Sequence, residues 1–341
     1  MKKVRLSDIA EATGVSTVTV HNALNGQKGV SGSLRERIQR VADEMGYENP
    51  KKDKKEENEI WEFQRIGVLI WEKYLGYQTP YYWKIYQELA LVATEKKCFT
   101  ILETLSMEGD AEVWEMPQMV LHNKNKVEGI IIIGEMNKQY ISKMKKMISV
   151  PFVFLDFYSS DFNQDAVVAD NFYGMYQMTE LLFSNGIEDI GFIGSVHVAS
   201  SIMDRYCGFM RSMMEHKKNI HPEWLIEDRE ETGGVKFELP KCLPEAFVCN
   251  SDLVAGMLVN KVNERGLKVP DDISVVGFDN FMYPEYSDIK ITTYEVSTKA
   301  MAEIAVNKLL RQIRHPGISG GIEVVCGNVV MKNSIRRKKT E

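Results

Sequence analysis

The chain has 341 residues, 44% of them hydrophobic and 26% charged, with a formal net charge of −6; it is long enough for more than one folding unit and has the composition of an ordinary globular protein. No run reaches the roughly eighteen apolar residues of a membrane helix, and the N-terminus MKKVRLSDIAEATG lacks the apolar stretch of a secretory signal, so a cytoplasmic protein without a membrane partner is expected. Cys98, Cys207, Cys242, Cys249 and Cys326 form an odd set with no CxxC spacing; buried thiols are expected, with no metal site, disulfide framework or cofactor.

Charge is unevenly spread. Residues 1 to 40 hold seven Lys/Arg against three Asp/Glu, leaving −10 for the remainder. A basic head on an acidic body orients the molecule on a polyanion and marks the head as the nucleic-acid face. Within it, LSDIAEATGVSTVTVHNALNG places Ile9, Ala10, Val15, Val20, Ala23 and Leu24 where two short helices around a turn would bury them. Small Ala10 permits close approach, Gly14 lets the backbone reverse, Ser16 is placed to cap the second helix, and Asn25-Gly26 stops it. Thr17, Val18, His21 and Asn22 are left outward near the helix N-terminus, where a recognition helix meets base edges. A third helix is predicted from Ser31 to Met45, with Leu34, Ile38, Val41 and Met45 on its inner face and Gly46 as its stop.

The segments VRLSDIAEATGVSTVTVHNALNG and VSGSLRERIQRVADEMGY resemble the DNA-binding head of the lactose-repressor (LacI/GalR) family. The resemblance puts Thr17, Val18, His21 and Asn22 on base-contacting positions, and Ser16, Thr19, Asn25 and Arg35 on or near phosphate-contacting ones. It implies a homodimer on near-palindromic double-stranded operator DNA. Family members more often carry arginine at the position of Asn22, so the operator sequence is expected to differ. Residues 48 to 64, ENPKKDKKEENEIWEFQ, read as a charged linker between a head at 1–47 and a body at 65–341. The family's hinge helix drives an apolar wedge into the minor groove; no such wedge is evident here, although Lys51, Lys52, Lys54 and Lys55 can neutralise phosphates.

From Arg65 onward the apolar runs IGVLIW, CFTILETL, VEGIIIIG, VPFVFLDF, IGFIGS, EAFVCNS and ISVVGFDN alternate with amphipathic segments, the pattern of parallel sheets covered by helices. Inner helix faces are predicted at Phe172, Met175, Tyr176, Thr179 and Phe183, at Val254, Met257, Leu258 and Val262, and at Met301, Ile304, Ala305 and Leu309. The runs fall into two sets, about 66 to 158 and 166 to 290, giving two doubly wound lobes and a cleft. The expected fold is therefore an all-α helix-turn-helix head on a two-lobed α/β body of the periplasmic-binding-protein type.

Ligands in open α/β sheets collect beyond the strand C-termini, where Asp156, Ser251, Asp252 and Asp279 fall. Their oxygens and the planar fork of Arg205 suit a polyhydroxylated ligand. Each has a second reading: Ser251 and Asp252 as caps of the next helix, Arg205 as partner of a structural carboxylate. The resemblance continues through VFLDFY, VVADNFYG, DRYCGF, CNSDLVAG, KVPDDISVVGFDN and ITTYEV, and implies that Pro80, Tyr81, Asp156, Arg205, Ser251 and Asp279 face an effector cleft. Sugars are its commonest effectors, purines and nucleosides a smaller class, and a protein partner serves some members. Tyr81 and Tyr82 can stack on a sugar ring, whereas Trp83 reads as core. GFIGS is no GxGxxG fingerprint, and neither a Walker loop nor GxSxG occurs, so the rival enzyme reading lacks a motif. The C-terminus has no leucine heptad and offers no basis for a tetramer.

Overall fold

The structure, a computed structural model, describes residues 4–24, 29–45, 47, 64–76, 80–106, 115–121, 127–230, 234–281, 283 and 288–337. The chain divides into two compact units, Met1–Phe63 and Gln64–Glu341. The expected linker, 48–64, lies outside the described residues except for Gln64.

The first unit is α1 (Leu6–Thr13), α2 (Thr17–Leu24) and α3 (Gly32–Glu44). Gly14 closes α1 at φ 69°, in the left-handed region where a side chain is disfavoured, and its N–H returns to the Ala10 carbonyl. Asp8 Oδ2 accepts from the Arg5 N–H at 2.8 Å, closing the opposite end of α1. Ile9, Ala10, Val20, Ala23, Ile38 and Ala42 form the buried centre, with Leu24, Leu34 and Val41 packed at its edge. Met45, expected inside, is exposed because α3 turns its smaller Ala42 to the core.

The second unit runs β1 (Gln64–Trp71), a 3-10 turn (Glu72–Leu75), α4 (Pro80–Glu95), β2 (Cys98–Leu105), α5 (Gln118–Leu121), β3 (Gly129–Ile133), α6 (Lys138–Met147), β4 (Phe152–Leu155) and β5 (Ala166–Ala169). It continues with α7 (Asn171–Ser184), β6 (Ile190–Ile193), α8 (Ser200–Glu215), β7 (Leu225–Ile226), β8 (Ala246–Cys249), α9 (Asp252–Glu264), β9 (Ser274–Asp279), β10 (Thr292–Glu295), α10 (Thr298–Arg314), β11 (Ile322–Val325) and β12 (Asn328–Val330). Two six-stranded sheets result, ordered β11-β5-β4-β3-β1-β2 and β12-β10-β9-β8-β6-β7. All pairings are parallel except that of β12 with β10. Strands such as GIIII in β3 and FVFL in β4 are buried throughout, as parallel strands covered on both faces must be.

Four expectations need correction. The lobes are not consecutive in the chain: β5 and β11 complete the first sheet, and α10 packs against α4 and against β3, β4 and β5 of that sheet. The chain therefore crosses between lobes three times, at 169–171, 295–298 and 325–328. In α7, Phe172, Tyr176 and Phe183 are only half-buried, and Met175, Met178, Thr179 and Leu182 are the buried face. The reason is α8. A Cβ on Gly208 would lie 2.1 Å from the Phe172 carbonyl oxygen, so the helices touch backbone to backbone, and the three aromatic rings flank α8 beside Arg211 and His216. Trp83 is 44% exposed, since Tyr81, Ile85, Leu89 and Val92 take the inner face of α4. Among the cysteines only Cys98 and Cys249 are buried; Cys207, Cys242 and Cys326 are exposed, and all five are free thiols.

Among the described residues, no helix is long and apolar enough to cross a membrane and no group of three or more His, Cys, Asp or Glu side chains could hold a metal ion.

Candidate functional site

The cleft residues sit where strands of the two sheets end. Asp156 follows β4 and Asp279 closes β9, both with left-handed backbones at φ 68° and 102°. A non-glycine residue held there costs about 1 to 3 kcal/mol, a strain that concentrates at ligand sites. Both carboxyls are buried. Burial pushes Asp279 up to about 7 against the pull of Arg205, with Asp156 adding to the rise. Burial likewise pushes Asp156 up to about 6, opposed by Arg205 and by hydrogen bonds from Tyr82 and Tyr81. The Tyr81 hydroxyl donates to Asp156 Oδ1 at 3.5 Å.

Arg205, buried on α8, is held on every side. Nε donates to Asn171 Oδ1 at 2.8 Å and Nη1 to the Asn250 carbonyl at 2.6 Å. Its guanidinium carbon lies 3.9 Å from the centre of the Phe278 ring. Nη2 approaches Asp279 Oδ1 at 3.5 Å, an ion pair without a hydrogen bond, so that oxygen is a buried acceptor with no hydrogen-bond partner among the described residues. Arg205 thus pairs with a structural carboxylate, and one oxygen of that carboxylate stays without a hydrogen bond beside it.

Ser251 and Asp252 resolve toward structure. Ser251 Oγ accepts from the Val254 N–H as the N-cap of α9. Asp252 Oδ2 accepts from the Phe281 N–H at 2.9 Å, tying down the chain after β9. Pro80 opens α4, supplying a preset φ where no backbone donor is needed. Tyr82 joins Tyr81 edge to face, with ring centres 5.3 Å apart, and packs on Tyr74 at 4.5 Å.

Sequence reasoning missed Asn171, Asn250 and Phe278 as the frame of Arg205. It also missed Asp228, fully buried, which accepts from Ser195 N and Asn250 Nδ2 at 2.7 Å each and from Arg229 at 2.6 Å. An asparagine directly after the apolar run AFVC was the legible signal for Asn250. Two polar links join the lobes: Glu135 Oε2 accepts from Ser200 N and Oγ at 2.7 and 3.1 Å, and Tyr158 donates to Asp204 at 3.1 Å.

In the head, Ser16 Oγ accepts from the Thr19 N–H at 3.1 Å and shares a 2.8 Å hydrogen bond with the Thr19 hydroxyl, capping α2 as expected. Thr17 is exposed, His21 and Asn22 are half-buried, and Val18 is 66% exposed, an apolar side chain presented to solvent at a helix N-terminus. Arg35 is half-buried and donates to the Ala23 carbonyl at 3.4 Å, bracing α2 against α3. Asn25 lies outside the described residues.

Two family models match the chain: "Bacterial regulatory proteins, lacI family" over residues 5–49 and "Periplasmic binding protein-like domain" over residues 179–335. The chain thus carries a lacI-type DNA-binding region and a periplasmic-binding-protein-like domain. LacI-family relatives along nearly its whole length include a ribose operon repressor of Haemophilus influenzae, 24% identical over 97% of this chain and 98% of that one. The transcriptional repressor PurR of Aliivibrio salmonicida is 24% identical over 97% and 99%. Among solved LacI-type folds, a CelR–cellobiose complex superposes with a TM-score of 0.66 at 18% identity, covering 97% and 100% of the two chains. The lac repressor dimer bound to operator and the anti-inducer ONPF gives 0.62 at 20%, covering 98% and 99%. A ribose-bound LacI regulator of Enterococcus faecium gives 0.65 at 21%, covering 81% and 100%. These relatives and fold neighbours are transcriptional regulators, not enzymes.

Proposed function

We propose that the protein represses transcription as a homodimer on a near-palindromic operator, and that a sugar bound between the lobes sets its operator affinity. The observation that carries the effector reading is the buried, strained Asp279, whose Oδ1 has no hydrogen-bond partner beside Arg205. A ligand hydroxyl there would donate to that oxygen, Asp156 would accept another, and Tyr81, Tyr82 and Phe278 offer apolar ring faces. Ribose and cellobiose in the neighbouring structures support this class. A purine is the second reading, favoured by the PurR relatives and by the packed rings of Tyr74 and Tyr82.

Dimerisation is supported by Trp83 and Leu91, which share one exposed face of α4 at eight-residue spacing, and by exposed Phe99 on the edge strand β2. Thr17, Val18, His21 and Asn22 are assigned to base edges, and Ser16, Thr19, Asn25 and Arg35 to phosphates.

The test is a thermal-shift screen of the full-length protein against sugars, nucleosides and purines, followed by gel shifts on operator DNA with and without the hit. A ligand at about a hundred times its dissociation constant stabilises by about 2.7 kcal/mol. Arg205→Ala is expected to abolish that shift and to destabilise the unliganded protein by about 3 to 5 kcal/mol, since Asp279 is left buried without its cation. A hit that leaves operator affinity unchanged sinks the effector reading.

A further inference from the structure

Away from the cleft, on the first lobe, the last two turns of α10 and the residues following α4 form an open surface pocket of about 370 Å³. Its lining is Lys96, Asn307, Leu310, Arg311, Arg314 and His315. Asn307, Arg311, Arg314 and His315 stand at i, i+4, i+7 and i+8, one face of a helix, while Lys96 comes from a separate element. Leu310 is buried beneath them as an apolar floor.

The charge is uncompensated. In a chain with 48 acids to 42 Lys/Arg, several surface bases find carboxylates, as in Lys138–Asp161, Arg211–Glu215, Lys236–Glu230 and Arg336–Glu245. Among the described residues no ion pair engages Lys96, Arg311, Arg314 or His315. Lys96 and Arg314 converge closely enough that both pull down the buried Cys98 thiol, which burial and Glu128 push up. Attraction to the C-terminal end of α10 explains cations on that helix. It does not explain Lys96, nor a lining that contains no acid.

We infer that this pocket is a second ligand site, which takes the phosphate group of a small phosphorylated metabolite. Two arginine forks match the oxygens of a phosphate monoester, Lys96 adds a point charge, and Asn307 can bond an adjoining hydroxyl. The volume suits a compound of sugar-phosphate size. In the cleft, by contrast, Arg205 is already matched to Asn171, Asn250 and Asp279. The regulator would then read two signals at separate places, and the inference stands or falls independently of the cleft assignment.

The experiment is isothermal titration of the full-length protein with glucose 6-phosphate, inorganic phosphate, glucose and sulfate. It is repeated with Arg311→Ala/Arg314→Ala, Lys96→Ala and Arg205→Ala. Glucose 6-phosphate, inorganic phosphate and sulfate are expected to bind, since a lining without an acid holds any of these oxyanions, and glucose to bind at least tenfold more weakly (about the cost of one charge-assisted hydrogen bond). The double variant, whose changed side chains are exposed and whose fold is checked by its melting temperature, should lose at least about tenfold in affinity. Lys96→Ala should lose less, and Arg205→Ala nothing. No binding by either phosphate, binding no tighter than that of glucose, or binding lost in Arg205→Ala and kept in the double variant would each overturn the inference.

Discussion

At the scale of single residues, the two cleft aspartates hold protons that an unfolded chain would release. An ordinary aspartate titrates at about 3.9, whereas Asp279 is raised to about 7 in the fold. Between those values the native state binds more protons than the unfolded one, so this carboxyl costs stability progressively as pH rises, with the full cost present above about 7. Relative to wild type, Asp279→Asn is therefore expected to gain on the order of 2 to 4 kcal/mol between about pH 4 and pH 8, on top of a pH-independent loss from leaving Arg205 buried without its anion. Urea midpoints at pH 8, 6 and 5 measure this; a gain that grows on acidification contradicts the assignment. The same variant should lose effector binding. Val18 makes the complementary case. Its exposed side chain supports nothing in the head, so Val18→Ala should leave the melting temperature of the head within the scatter of a surface change, about 0.5 kcal/mol. Operator affinity should nonetheless fall by roughly tenfold, the lower part of the range for one lost base contact.

At the scale of elements, α8 carries the coupling between lobes. Its first turn is capped by Glu135 from the other lobe, a carboxylate at the positive end of a helix, and its second turn receives Tyr158 through Asp204. Glu135→Ala and Tyr158→Phe should each loosen the lobe arrangement without touching Arg205 or the aspartates. The expected result is an effector affinity several-fold weaker and, for the unliganded pair variant, a larger radius of gyration in solution scattering. Unchanged affinity and dimensions would show that these links ride along with closure and do not set it. Legibility also divides by element. The seven apolar runs between Ile66 and Asn280 all became strands because buried parallel strands leave an unbroken signal. Strands β7, β11 and β12 left none, being two to four residues long and, in β11, exposed at Ile322, Glu323 and Val324. Asp156, Arg205 and Asp279 were legible as polar residues at strand ends or in a distinctive helix motif. Asn171 and Phe278 were not, because the contacts that give them their roles join residues 34 to 73 positions apart, which periodicity cannot encode. The mistaken inner face of α7 has the same origin: Phe172, Tyr176 and Phe183 are spaced for a core, and only the close approach of α8 at Gly208 redirects them.

At the scale of the whole molecule, the triple crossing between lobes makes the crossing points sensitive. Gly327, on the third crossing, faces the Glu295 carbonyl oxygen so closely that a Cβ would stand 2.0 Å away. Gly327→Ala must displace backbone of β10 and is expected to cost about 1 to 3 kcal/mol by chemical denaturation. An alanine tolerated without loss would mean that the crossing strands yield freely. The crossings also bear on how the protein is made. A ribosome releases five of the six strands of the first lobe early, yet their sheet waits for β11 and α10, and the second lobe waits for β12 and for Ser334, which bonds to β9 and β10. Neither lobe is complete until β11, β12 and Ser334 have been made. A nascent chain therefore carries an open sheet edge through most of its synthesis, and a premature stop anywhere before residue 325 leaves no finished lobe, only a DNA-binding head joined to an unfinished body.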